Sequence, residues 1–362
     1  MKKLLVVLLA MAMLFAFAAC APAAEEAAPA EEAPAEEEEM ADEPGYYPVI
    51  AKGFQHQFWQ VVKDGSEQAA KDLGVEIFFT GPEGESAQAA QVDMLNAELA
   101  KNPTAICLAA LNTEAVLSQL QQAADAGIPV IGFDSGVPNA PEGQIAANAS
   151  TDNENAGALA AEKMYEAMMD TIGAATADAL VVISVLSQDV TSASVSGRTK
   201  GFAEKMYELV GDGAAITGDF NAINMGDAGA AVNIAVTVGA TPDITDMTNA
   251  ASGVLNTDGL IGVFCSNEGA SNGLLAAVNA GSAIPDGVKV AGFDAGAGQK
   301  AAVKSGVFMG AITQDPYMIG YKAVELAVAA ANGESVADVD TGAKWYTAEN
   351  MDDDGIAELL YD

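Results

Sequence analysis

From Tyr47 onward the chain alternates between short apolar runs and stretches whose apolar residues recur every three or four positions. The first strand is predicted around Val49-Ile50, followed by an amphipathic helix over 59–73. Strands are predicted at 75–79, 105–109 and 129–133, with helices over 88–100 and 113–126 between them. The series resumes with a helix over 155–168, a strand at 179–185 and a helix over 198–210. It closes with a strand around Phe264, a helix over 271–280 and a strand at 288–293. Mostly apolar strands in strict alternation with helices imply parallel sheets covered on both faces, an α/β fold.

One stretch of this pattern is answered by another. Ile128-Pro129-Val130-Ile131-Gly132-Phe133-Asp134 has its echo in Ile284-Pro285, then Val288-Lys289-Val290-Ala291-Gly292-Phe293-Asp294. In both, a buried strand ends in Gly-Phe-Asp and passes into a Gly-containing loop. The spacing of about 160 residues is far too long for a solenoid and suits two similar domains. The 317 residues after position 45 also exceed what one core usually holds. Each Asp falls at the carboxyl end of a parallel strand, the edge where open α/β sheets bind ligands. Two such edges facing each other make a cleft with one carboxylate from each wall.

The N-terminus changes the picture by adding an address. Lys2 and Lys3 precede an apolar run from Leu4 to Ala19, sixteen residues long, which is short of the roughly 20 that span a bilayer. A basic start, a short apolar core and small residues leading into Cys20 predict a signal peptide over 1–19. Phe17-Ala18-Ala19-Cys20 resembles the lipobox of bacterial lipoproteins, with Phe17 where leucine is usual. That resemblance implies lipidation of Cys20 and an anchor on the outer face of the cell membrane. A single acyl chain holds only reversibly, so two or more are expected. Residues 20–45 are nearly all Ala, Glu and Pro, too poor in apolar area to offset ordering entropy, and are expected to form an extended acidic tether.

Charge and cysteine usage narrow the partners. Acidic residues outnumber basic ones by 51 to 15, a formal net charge of −36, of which −28 lies beyond residue 45. A surface so acidic repels phosphate backbones and argues against nucleic acid. Past Cys20 only Cys107 and Cys265 remain, each inside an apolar run. The domain therefore depends on its core rather than on disulfides. His56 is the sole histidine, so a multi-histidine metal site is excluded and no metal or other cofactor is expected. Neither Gly-x-x-x-x-Gly-Lys-Ser/Thr nor Gly-x-Gly-x-x-Gly occurs, which leaves nucleotide binding without support.

The ordered markers Gln57-Phe58-Trp59, Lys63-Asp64-Gly65, Gly127 to Asp134, Thr151-Asp152-Asn153, Gly201-Phe202, Asn267-Glu268, Gly292-Phe293-Asp294 and Gln314-Asp315-Pro316 carry a family resemblance. From residue 48 to about 350 the chain resembles the ribose-binding type of bacterial periplasmic solute-binding proteins that serve sugar ABC importers. The resemblance implies two Rossmann-like lobes with parallel sheets, joined by a three-segment hinge near 150–153, 313–317 and 337–342. An N-terminal lobe of 46–150 plus 316–338 and a C-terminal lobe of 151–315 plus 339–362 follow. It implies capture of a monosaccharide or sugar-like polyol by a monomer, and delivery to ABC permease subunits. By the same resemblance the ligand-binding residues are His56, Phe58, Trp59 and Asp134 on one wall, Asn267 and Asp294 on the other, and Gln314 at the hinge. Pentose-binding members carry an arginine near Ser196. Serine here implies that the guanidinium fork is missing or replaced; Arg198 is read first as structural, and Ser196 and Arg198 stand as weaker ligand-binding candidates. The region 220–259 is about twenty residues longer than the ribose-type pattern, and Phe220 is placed in the site only weakly.

These residue types suit a sugar on chemical grounds as well. Aromatic rings stack on C–H faces, and carboxylates and amides reward hydroxyls, because a buried polar group left unpaired costs roughly 1–3 kcal/mol. Two other readings stay open. The same fold serves sensing of a small autoinducer-like signal, and paired aspartates also suit a secreted glycoside hydrolase. Asp134 and Asp294 are alternatively plain caps of the helices that follow. A LacI-type regulator shares the fold, but the chain is expected to start with a signal rather than with DNA-binding helices.

Overall fold

The computed structural model describes residues 45–227 and 229–361, which form one compact unit. The leader, Cys20 and the tether before Gly45 lie outside the described residues. The chain opens with β1 (Tyr46–Ile50), α1 (Gln57–Leu73), β2 (Glu76–Thr80), α2 (Gln88–Leu99), β3 (Ile106–Leu108), α3 (Leu117–Asp125), β4 (Val130–Phe133) and β5 (Ala147–Ser150). It continues through α4 (Asn153–Gly173), β6 (Val181–Ser187), α5 (Ala193–Val210), β7 (Ala214–Gly218), β8 (Met225–Gly226), β9 (Val232–Val238) and α6 (Ile244–Leu255). Then come β10 (Leu260–Cys265), α7 (Glu268–Asn279), β11 (Lys289–Phe293), α8 (Ala297–Ser305) and β12 (Gly310–Gln314). The chain ends with α9 (Pro316–Ala331), β13 (Val339–Asp340) and β14 (Ala343–Tyr346).

The strands form two sheets, ordered β13-β5-β4-β3-β1-β2 and β14-β12-β11-β10-β6-β9-β7-β8. Every pairing in the first sheet is parallel. In the second only the short edge strands β8 and β14 run antiparallel. Central strands such as Ile106–Leu108 and Val130–Phe133 are buried at every position, as helices on both faces require. Two α/β lobes with parallel sheets are therefore present.

The chain crosses between lobes three times: from β5 to α4, from β12 to α9, and from β13 to β14. Local signals fix two of these crossings. Asp152 accepts a hydrogen bond from the Asn155 N–H to start α4, and Asp315 caps α9 through Met318 N–H ahead of Pro316 at the first turn. Helix α9 then packs against α1 in the first lobe. Strand β13 pairs with β5, which moves Val339 and Asp340 from the C-terminal lobe, where the sequence put them, to the first sheet. Ladder bonding to Ala149 and Ser150 is the reason, and the third crossing lies between Asp340 and Ala343.

The described residues of the segment 220–259 extend the second sheet. A turn at Asn221–Ile223 leads into β8, which folds back on β7, and β9 then inserts between β7 and β6. Phe220 packs beside the second-lobe core at the start of that turn.

Candidate functional site

The two sheets turn their carboxyl edges toward each other, and strand ends with helix starts supply the wall residues. Lys52 follows β1, His56, Phe58 and Trp59 open α1, and Glu85 comes from the loop after β2. Asp134 ends β4, Arg198 lies on α5, and Asn267 with Glu268 opens α7. Asp294 ends β11 and Gln314 ends β12. These side chains line one cavity between the lobes, of ≈ 20 Å³, room for about one water.

The echoed aspartates share one conformation. Asp134 has φ 51 and Asp294 φ 78, two of only three non-glycine residues with positive φ among those described. Both backbone N–H groups bond across to the neighbouring strand end, Asp134 to Ala149 O and Asp294 to Ile312 O. Each chain reversal aims a carboxylate into the cleft at the cost of local strain, an arrangement typical of functional sites. Neither Asp side chain caps the helix after it. Gly296 starts α8 without a side-chain cap.

Arg198 joins the two walls. Its guanidinium donates through Nε to Asn153 Oδ1 at 2.8 Å and through Nη2 to Gln314 Oε1 at 2.9 Å. It lies 3.8 Å from Asp134 Oδ1 and 3.9 Å from Asp294 Oδ2, and stacks 3.9 Å from the Phe293 ring centroid. A guanidinium fork thus stands two residues beyond Ser196, so the arginine absent at that position is replaced by Arg198, a side chain with cleft contacts as well as structural ones. Helix periodicity is the physical reason. Val195, Arg198, Thr199 and Phe202 share the buried face of α5, whereas the Ser196 hydroxyl turns back to Ser192 O at 2.7 Å. Neither Ser196 nor Phe220 reaches the cavity.

The remaining walls are built from buried, paired groups. Lys52 Nζ lies 3.2 Å from Asp134 Oδ2 and donates to Ser194 Oγ at 3.1 Å. Burial would lower the Lys52 pKa, but Asp134, Glu85 and Asp189 together raise it. Glu85 accepts from Trp59 Nε1 at 2.9 Å and from Gln188 Nε2 at 2.6 Å. Burial pushes its pKa up, yet Lys52, His56 and these two donors prevail and hold it low. Trp59 is buried between Phe58 and Phe133, edge to face with both. Asn267 spends its Oδ1 on capping α7 through Ala270 N–H, leaving its amide nitrogen as the cleft-side donor.

Asp294 receives Glu268 N–H at 2.9 Å and Gln314 Nε2 at 2.6 Å, but its pKa is raised. Desolvation outweighs the help from Arg198 and these donors. The Glu268 carboxyl is likewise pushed up, chiefly by burial and further by Asp294, while His56 and the first N–H groups of α1 oppose the shift. Lys52, Glu85 and Glu268 were missed in the sequence. Lys52 had a signal, a lysine directly after a buried strand at the binding edge. Glu85 sits in an irregular loop that no periodicity marks.

The lobes touch across the cleft on both sides of this cavity. Gln188 reaches Glu85, Thr191 Oγ1 donates to Leu111 O at 3.1 Å, and Ser86 Oγ donates to Asp243 Oδ1 at 3.0 Å. Gln57 on α1 accepts the Ala297 N–H that opens α8 at 2.8 Å. Among the described residues no group of three metal-ligating side chains occurs, and no helix is long and apolar enough to cross a membrane.

Two parallel-sheet lobes, three crossings and a polar interlobe cavity define a two-lobed solute-binding protein. The chain belongs to the periplasmic binding protein domain family, whose model matches residues 47–335. Among solved structures it is similar to a Brachyspira murdochii protein described as an ABC transporter, LacI family transcriptional regulator. That match is 41% identical with a TM-score of 0.73, and covers 88% of this chain and 99% of the other. It is also similar to an ABC transporter solute-binding protein of Agrobacterium vitis with bound D-fucose, at 26% identity, TM-score 0.73, and 88% and 100% coverage. A carbohydrate transporter solute-binding protein of Agrobacterium radiobacter in complex with D-arabinose matches at 28% identity, TM-score 0.72, and 89% and 100% coverage. No curated protein matches the chain.

Proposed function

We propose that this protein captures a monosaccharide or sugar-like polyol between its lobes outside the cell membrane and delivers it to the permease of an ABC importer. The observation that carries the reading is the pair of left-handed aspartates, one from each lobe, bridged by Arg198 beside Phe58 and Trp59. Carboxylates accept hydroxyl protons, Arg198, Lys52 and the Asn267 amide donate to hydroxyl oxygens, and the aromatic rings cover C–H faces. His56, Phe58, Trp59, Asp134, Arg198, Asn267, Asp294 and Gln314 are the ligand-binding residues, with Lys52, Glu85 and Glu268 beside them. Binding requires the lobes to part and close again, the hinge motion for which periplasmic binding proteins are a standing example. Ligand then selects the closed form that the permease receives. The D-fucose and D-arabinose held by similar proteins make neutral hexoses and pentoses the first candidates.

The protein acts as a binder rather than a glycoside hydrolase. Membership of the periplasmic binding protein domain family and the solute-binding proteins similar to this chain support that reading. Calorimetry and thermal shift against a panel of neutral sugars test the reading. A true ligand at a hundredfold over its Kd stabilises by about 2.7 kcal/mol. A panel without any stabilising sugar would sink the proposal. Anchoring rests on Cys20: labelled fatty acid is expected on the wild-type chain and not on Cys20→Ser.

A further inference from the structure

Directly outside the inner cavity lies a second and far larger one of ≈ 590 Å³. His56 lines both cavities and stands between them. Gln55 and His56 form its first-lobe side, and Pro242, Ile244, Thr245 and Asn272 most of its second-lobe side. The volume falls within the roughly 300–1,000 Å³ of ordinary small-molecule sites. The inner cavity, at ≈ 20 Å³, takes a ring only as the lobes part, and its walls leave no room for more than that ring. Two cavities share a lining residue with the inner one, ≈ 190 Å³ beyond Asp134 and ≈ 590 Å³ beyond His56, and the larger gives a ligand of more than one ring its roomier path, outward past His56.

The chemistry of that exit is specific. The His56 side chain is only 10% exposed, and its Nδ1 is buried without a hydrogen-bond partner, while Nε2 lies 3.3 Å from the Gln55 amide. A buried ring nitrogen left unpaired is costly unless a ligand group completes it. Ile244, 53% exposed at the start of α6, and Pro242 offer an apolar strip, and Gln55 and Asn272 flank it with amides. An apolar strip between amides is what a pyranose ring needs, C–H face on one side and hydroxyls on the other. Asp243 also lines the space, so an anionic substituent is disfavoured.

We infer that the protein has a second subsite in this outer cavity, and that its ligand is a neutral glycoside or disaccharide. One ring lies in the inner site, and the glycosidic substituent passes His56 onto Ile244 and Asn272. The inference rests on the sugar-binding reading and extends it.

The test is calorimetry on the purified protein with neutral hexoses and pentoses. Each is set beside its methyl glycoside, its phenyl glycoside and a disaccharide carrying it at the non-reducing end. The subsite predicts that a phenyl glycoside or disaccharide binds at least about tenfold tighter than its parent sugar, a gain near 1.4 kcal/mol. Ile244→Trp, which fills the cavity from an exposed position, and Asn272→Ala should each erase that gain and leave the parent sugar's affinity unchanged. Monosaccharide binding that any substituent abolishes overturns the subsite while leaving the sugar-binding reading intact. So does a gain that survives both variants. No binding by any member of the panel overturns both readings.

Discussion

Glu268 shows how one residue trades stability for a poised site. Its Oε2 is buried without a partner, and burial together with Asp294 pushes its pKa upward. Between the unfolded and the raised native pKa, the native state holds more protons than the unfolded one. Stability therefore falls as pH rises through that window and levels off above it. Asp294 acts in the same sense, and Glu85, held low, acts in the opposite one. Glu268→Gln keeps a carbonyl acceptor and removes the titration. At neutral pH the variant is expected to gain roughly 1 kcal/mol, about 1–2 °C in Tm, and to lose stability less steeply than wild type as pH rises from the usual carboxylate range through the raised Glu268 pKa. Parallel slopes for the two proteins in thermal melts would show that Glu268 carries no such burden. At this scale the site was partly legible. The repeated Gly-Phe-Asp exposed Asp134 and Asp294, because strand-end position sets what a residue faces. Arg198 stood only as a weaker site residue, because the resemblance looks for its arginine at Ser196, and two positions along a helix turn a side chain by about 200°. The spacing of Val195, Arg198 and Phe202 already placed the arginine on the inner face.

Helix packing holds that face in place by the same device in both lobes. A Cβ on Gly157 of α4 would collide with Arg198 O, and one on Gly201 of α5 with Glu154 O. In the first lobe, Gly65 of α1 meets Tyr317 O of α9, and Gly320 of α9 meets Val62 O. Each pair of helices therefore approaches backbone to backbone, with one glycine from each side. Gly201→Ala should force α4 and α5 apart, costing about 1–3 kcal/mol in denaturant melts. It should also weaken sugar binding, because the Arg198–Asn153 bond spans the same two helices. A stability loss that leaves affinity untouched would separate the packing from the site. The helices themselves were readable from their apolar period, and Gly65 and Gly201 from family markers. Their partners were not, since α1 and α9 meet across some 250 residues of chain and no local pattern encodes that contact. The β7–β9 region was hidden for a related reason. Its β8 strand is two residues long and exists only as an edge pairing.

The whole molecule is governed by whether its lobes are together. The cross-cleft contacts named above are polar, including Ser86 to Asp243, Gln188 to Glu85, Gln57 to Ala297 and the Arg198–Asp134 ion pair. A neutral bond of this kind is worth about 0.5–1.5 kcal/mol and one to a carboxylate about 1.5–3, so a handful of them holds the lobes without making closure irreversible. A ring cannot enter a cavity of ≈ 20 Å³ between touching walls, which makes opening an obligatory step of capture and of release. A reversible crosslink at the mouth tests this directly. Ser86 and Asp243 face each other from opposite lobes with Oγ and Oδ1 3.0 Å apart, which makes them the pair at which to place two cysteines. The natural thiols within the two lobes do not compete. Cys107 and Cys265 are buried, and burial raises the pKa of both, which keeps them protonated and unreactive. Oxidised Ser86→Cys/Asp243→Cys protein is expected to take up no sugar when closed empty, and to retain sugar through dialysis when closed around it. Reductant should restore both exchange and wild-type affinity. Unhindered uptake by the fully oxidised protein would mean that ligand reaches the site by a route that lobe separation does not control.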